Sequence, residues 1–254
     1  MDKVMASAAS AVADIPEGAS LAVGGFGLCG IPTVLIDALY ALGTTGLRVV
    51  TNNCGVDGYG LGLLLAAGRI ARVTGSYVGE NREFARQYLA GDVEVELTPQ
   101  GTLAERLRAG GTGIPAFYTP AGVGTQVAEG GLPWRYGPDG SVAVASPPKE
   151  SRGFHGRMYV LEEAITTDFA LVRAARGDRH GNLVFHRSAA NFNPLAAMAG
   201  RVTIAEVEEL VEPGVIEPEA VHLPGIYVDR VVGPVSADSK PVEKRIVRPR
   251  EERH

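Results

Sequence analysis

Positive charge is scarce in this 254-residue sequence: it has only four lysines, no Lys/Arg-rich run, a net charge of -5 and a pI near 5.6. Nucleic-acid binding usually needs a basic stripe, so DNA and RNA are not expected as partners. Long hydrophobic runs are lacking too. The longest, LGLLLAAG at 61–68, is far short of the ~20 residues a membrane-spanning helix requires, and no membrane association is expected. The opening MDKVMASAASAVADIPEG has one Lys, no Arg and two Asp, which suits neither a secretory nor a mitochondrial leader; a cytoplasmic location is expected. The two cysteines, Cys29 and Cys54, are too few for a disulfide framework or a four-ligand zinc site. His155, His180, His186, His222 and His254 show no metal spacing, and no metal is expected. The GK dipeptide of a P-loop, HExxH, CxxC and GxSxG are all absent. SPPK at 146–149 has S-x-x-K spacing, but its prolines resist the helix that would bring Lys149 under Ser146.

What remains is the composition of an ordinary globular protein, 45% hydrophobic and 21% charged, with 33 glycines. Helical spacing of Val4, Ala8 and Val12 predicts a helix over 2–14. Strand-like segments at 20–24, 47–52, 70–79 and 93–97 then alternate with helical ones at 32–42, 61–68 and 81–90. In TPQGTLAERLRAGG, Thr98 is placed to cap a helix, Pro99 to open it, Thr102 and Glu105 have capping-box spacing, and Gly110 and Gly111 are placed to stop it. A further strand follows at 114–120. Residues 120–160 are rich in Gly and Pro and predict a β lobe or flap with a hairpin at YGPDGSVAVA. Strands return at DFALVRAA and GNLVFH, then a helix near 189–199 and a strand at 201–211. This order predicts an α/β fold, an open, mostly parallel sheet flanked by helices. Residues 1–254 read as one domain with a polar tail from about 236.

The stretch AVGGFGLCGIP, residues 22–32, contains Gly25, Gly27 and Gly30 in the G-x-G-x-x-G spacing of a dinucleotide-binding turn, between a predicted strand and a predicted helix. A second requirement fails. The acidic residue that would hold a ribose should end the next strand, and there the sequence reads TNNCG, with Asn52 and Asn53 in its place. Glycines that let a strand turn tightly into a helix account for the spacing equally well.

Read as the longer string G-G-F-x-x-x-G-x-P, and together with TNNCGVDGYGLGLLL, SYVGENREFARQYLAG, VEVELTPQGTLAERLRAGGTGIPAFYTP and NFNPLAAMAG, the sequence resembles the A subunit of family I coenzyme A transferases. The succinyl-CoA:3-oxoacid (acetoacetate) enzymes are nearest, and the resemblance runs from about residue 3 to 232. It implies transfer of CoA between small carboxylic acids with no permanently bound cofactor, CoA being a substrate. The nucleophile it implies is a glutamate in a Ser-Glu-Asn-Gly setting on a separate B subunit, the two assembling as α2β2. This chain lacks that tetrapeptide; Glu80, in GEN, is a weak stand-in that equally suits a helix start. By the same resemblance Gln100 donates to the oxyanion, Asn52 and Asn53 face a substrate carboxylate, and Gly24, Gly25, Phe26, Gly27, Leu28, Cys29 and Gly30 form a CoA-contacting or site-forming loop. Cys54 stands where the family commonly has Ala and is expected to narrow an acyl pocket. The alternatives are 3-oxoadipate or acetate transfer and, more remotely, an NAD-binding module.

Overall fold

A computed structural model describes residues 1–236 apart from Glu80, together with Ser239. Eight strands form the main sheet, and the elements come in this order: α1 (Ala8–Val12), β1 (Ser20–Val23), α2 (Thr33–Leu42), β2 (Leu47–Val50), α3 (Leu61–Ala66), β3 (Ile70–Gly75), α4 (Arg82–Ala90), β4 (Glu94–Leu97) and α5 (Gln100–Gly111). Then follow β5 (Ala116–Thr119), α6 (Gln126–Glu129), β6 (Pro133–Tyr136), β7 (Val142–Ala145), β8 (Ser151–Phe154) and β9 (Arg157–Glu163). The chain continues with β10 (Thr167–Asp178), β11 (Leu183–Val184), α7 (Asn193–Ala199), β12 (Gly200–Val211) and β13 (Arg230–Val232). The sheet order is β13-β12-β10-β1-β2-β3-β4, all parallel, with short β11 antiparallel to β10.

Alternate side chains of the strands enter two cores, which is what buries both faces of a parallel sheet. Leu21, Val49, Val73, Val95, Phe169 and Leu171 pack with Leu35 and Leu39 of α2, Leu64 of α3 and Phe84 of α4. On the other face Ala22, Val50, Ala170, Val172 and Ala205 meet Leu103 and Leu107 of α5 and the alanines of α7. The order places β1 between β2 and β10: the chain builds outward through β4, returns beside β1, and builds outward again. Such a reversal opens a crevice at the carboxyl ends of the strands, where open α/β sheets bind ligands.

Three local expectations are corrected. The first helix is only Ala8–Val12, because Ser7 and Ser10 cap it mutually and the residues before it pair with the sheet, Met5 N donating to Val231 O at 2.8 Å. Neither Thr98 nor Thr102 caps α5: Pro99 holds the cap position without a side-chain bond, Thr98 accepts from Arg106, the Thr102 hydroxyl is buried without a partner, and Glu105 pairs with Arg108. Gly110 and Gly111 lie inside the helix instead of stopping it. A Cβ on them would come within 1.9 Å of Ile165 O and 2.4 Å of Met198 Cβ, so their role is close packing. Within 120–160 the chain has strands β6 to β8 and the start of β9; the β6–β7 hairpin packs on α4 and β3, with Tyr88 Oη donating to Pro133 O at 2.6 Å and Arg72 over the Trp134 ring. Most of the polar tail expected from about 236 lies outside the described residues, as does Glu80.

Candidate active site

Four consecutive parallel strands end on the same edge, and each delivers one piece of a hydrogen-bonded network: the glycine turn after β1, Asn52 and Asn53 after β2, Ser76 after β3, and Gln100 after β4. Gln100 Nε2 donates to Asn52 Oδ1 at 2.8 Å, and Ser76 Oγ donates to the same oxygen at 2.7 Å. Asn52 Nδ2 donates to Asn53 Oδ1 at 3.2 Å, which also receives the Gly27 N–H at 2.9 Å. Gln100 is exposed, whereas Asn52 and Asn53 are only 2% and 7% exposed. The sequence-predicted Gln100, Asn52, Asn53 and Gly27 are thus brought together. Each asparagine oxygen already accepts two bonds, so only one N–H per carboxamide is left over beyond Asn52 to Asn53 and Asn53 to Gly55 O. No side chain caps the start of α5, whose free amide end lies beside Gln100 and favours negative charge.

The glycine turn is a tight reversal, with Phe26 and Cys29 exchanging backbone bonds at 3.0 and 2.9 Å around Gly27 and Leu28. Its outer glycines make room for Asn193, a fully buried residue at the start of α7. A Cβ on Gly24 would lie 2.0 Å from Asn193 Oδ1, and one on Gly30 would lie 2.9 Å from Asn193 Nδ2. The Asn193 carboxamide receives the Arg173 N–H at 3.0 Å and donates to Gly30 O at 2.9 Å and Ala189 O at 2.8 Å. Gly25 packs on Ile31, Phe26 is 48% exposed, and Cys29 Sγ is 3.6 Å from Ser188 Oγ. Asn193 and Ser76 escape a reading of the sequence. Ser76 left the better signal, being the first polar residue after a buried strand that is parallel to β2.

The beginning of α2 is where a pyrophosphate would have to sit in a dinucleotide enzyme. A buried carboxylate is there already: Glu206 Oε2 accepts from Leu35 N at 2.9 Å, while Oε1 receives Arg173 Nη1 at 2.8 Å. Burial raises the Glu206 carboxyl above its ordinary range, against the pull of Arg173 and the α2 amides. An anion at that helix end would meet Glu206, so the spacing Gly25-Gly27-Gly30 does not serve NAD here. Cys54 does not narrow a pocket either. Its side chain is 1% exposed among the core residues under α3, and burial pushes its thiol up to about 12.

Glu96 of β4 anchors α5. Its Oε1 pairs with Arg106 Nη1 at 2.6 Å and its Oε2 with Arg72 Nη2 at 2.7 Å. Burial opposes its ionisation, but the two guanidiniums outweigh this and hold its carboxyl below the usual range. A separate open cavity of about 650 Å³ lies between the loops after β2 and β3, lined by Val56, Asp57, Val78, Asn81, Arg82 and Ala85 among others. It includes none of the network residues, so the network and not the cavity marks the site. Among the described residues no cluster of three or more His, Cys, Asp or Glu could hold a metal ion, and no helix is long and apolar enough to cross a membrane.

A sheet with a reversal beside β1 and a carboxamide network at its carboxyl edge defines a class in which neutral donors handle an anionic oxygen. The chain belongs to the coenzyme A transferase family, whose profile matches residues 5–233. It is 68% identical to the A subunit of the probable succinyl-CoA:3-ketoacid coenzyme A transferase of Mycobacterium bovis, over 98% of this chain and 100% of that one. It is 55% identical to the mitochondrial succinyl-CoA:3-ketoacid coenzyme A transferase 2 of Homo sapiens, over 97% of this chain but 47% of that protein. Among solved structures, the acyl-CoA transferase of Escherichia coli O157:H7 in a thioester complex with CoA superposes with a TM-score of 0.75 at 25% identity. The match covers 91% of this chain and 47% of that one.

Proposed function

We propose that this chain is the A subunit of a succinyl-CoA:3-ketoacid CoA transferase, acting as one domain and supplying Gln100 to an active site whose nucleophile, a glutamate, comes from a separate B subunit. The observation that carries the reading is the network itself: a solvent-facing carboxamide donor held by two buried asparagines, with no carboxylate among its members. The chain's span of about half of the human relative and of the E. coli enzyme supports a missing second half.

The glutamate attacks the succinyl-CoA carbonyl, whose oxygen becomes negative, and expulsion of CoA thiolate leaves a mixed anhydride. Thiolate then attacks the glutamyl carbonyl, succinate leaves, and a glutamyl-CoA thioester remains; the 3-oxoacid carboxylate takes CoA by the reverse sequence. Each addition generates a tetrahedral oxyanion. An N–H of Gln100 facing that oxygen is worth ~3 kcal/mol of barrier, and the free amide end of α5 adds to the same field. Succinyl-CoA and acetoacetate are the proposed substrates, an α2β2 complex the proposed assembly and the cytoplasm the proposed location; CoA is substrate, not resident cofactor.

The test is reconstitution. The chain alone is expected to give no exchange between succinyl-CoA and acetoacetate, and the chain with its B partner to give ping-pong turnover, with the trapped thioester mapping to the partner. Turnover by the chain alone, or label on Glu80, overturns the division of labour. Preference for 3-oxoadipate or acetate in a panel of acceptor acids would keep the chemistry and replace the substrate. In the active complex Gln100→Ala is expected to lower kcat by about 10²–10³.

A further inference from the structure

Donors and acceptors in the Gln100 network are ordered from one end. A backbone N–H can only donate, so the Gly27 amide requires Asn53 to turn its side-chain oxygen toward the glycine turn. That oxygen takes its second bond from Asn52 Nδ2. With its nitrogen committed there, the Asn52 carboxamide has its oxygen on the other side, where it accepts from both Ser76 Oγ and Gln100 Nε2. Gln100 therefore meets Asn52 with its NH2 end, and the second hydrogen of that nitrogen remains for the site. Turned end for end, Gln100 would set oxygen against oxygen and bring a lone pair to the place where a negative charge develops.

Ser76 grips this arrangement at its middle. Its backbone N–H donates to Asn52 O at 3.0 Å and its hydroxyl to Asn52 Oδ1 at 2.7 Å, so one residue fixes both oxygens of Asn52. Loss of the hydroxyl would leave the Asn52 oxygen with Gln100 alone, and the carboxamide pair freer to rotate.

We infer that Ser76 is a positioning residue for the transferase reaction: with the Gly27–Asn53–Asn52 relay it holds the N–H end of Gln100 toward the reacting oxygen. The asparagines then serve this relay, and the glycine turn sets its polarity. The inference rests on the reading of Gln100 as the oxyanion donor.

Two measurements test it. In ¹⁵N-labelled full chain, the side-chain NH2 of Gln100, identified by its loss in Gln100→Ala, is expected to give two well-separated, slowly exchanging proton signals. In Ser76→Ala these are expected to move toward the values of a free glutamine; an unchanged pair overturns the inference. In the reconstituted enzyme Ser76→Ala is expected to lower kcat about tenfold, with KM for both substrates held within about twofold. In a Gln100→Ala background the same substitution is expected to change kcat less than about twofold, because no carboxamide is left to orient. Equal losses in both backgrounds, or a raised KM with kcat kept, overturn it. Lack of exchange by the unmodified complex would sink the proposed function instead, and the NMR measurement would still decide the relay.

Discussion

Gly24 and Gly27 belong to one motif and are glycine for different reasons. At Gly24 the space for a side chain is taken by the Asn193 carboxamide; at Gly27 the space is open, but φ is +59°, where an L residue is strained. Gly24→Ala is expected to expel Asn193, orphan the Arg173 amide and lower stability by about 3 kcal/mol. Gly27→Ala keeps its N–H and is expected to cost about 1 kcal/mol. Urea unfolding of the two variants checks the difference. The motif, the asparagine pair and Gln100 were legible because chemistry of this kind leaves polar residues at strand ends. Asn193 was not: the carbonyl of Gly30 that it holds is 163 positions away, and Asn-Pro before a helix reads as ordinary turn chemistry.

Among the elements, α5 matters most because its first residue is Gln100, and the Glu96–Arg106 pair fastens that helix to the edge of the sheet. The pair is mostly buried, so breaking it is expensive. Glu96→Gln is expected to lower stability by about 3 kcal/mol at neutral pH. The sign with pH follows from the depressed carboxyl. In the native protein its contribution is present above the unfolded value of 4.5 and lost as pH falls through the lower folded value. Thermal unfolding from pH 7 downward should thus show the two proteins converging below pH 4.5. The existence and order of the main elements could be read from hydrophobic periodicity, whereas their ends could not. The first helix gave up its opening residues to β13, and α5 ran through Gly110 and Gly111 because neighbouring backbone needed their missing side chains. Such contacts between distant segments have no trace in local spacing.

At the scale of the whole molecule, alternating strands and helices predict a parallel sheet but not the side on which each new strand is added. The return of β10 to lie beside β1 turns four separate strand ends into one site, and that adjacency is a property of the fold alone. On the loops of this edge Phe26, Tyr59 and Tyr77 are 48%, 56% and 49% exposed. If a B partner closes the site, as proposed, amide exchange in 24–30, 53–60 and 76–79 is expected to slow on its addition while the strands of the sheet, already protected, stay unchanged. Unaltered exchange in those loops would place the partner elsewhere.

The two thiols of the chain differ sharply in access: Cys54 is sealed in the core and hard to ionise, while Cys29 sits part-exposed in the glycine turn. A maleimide dye at neutral pH should therefore attach once, at Cys29, as intact mass and peptide mapping would report. The unmutated protein thus carries its own address for a fluorescent reporter, placed where binding would change its colour or lifetime.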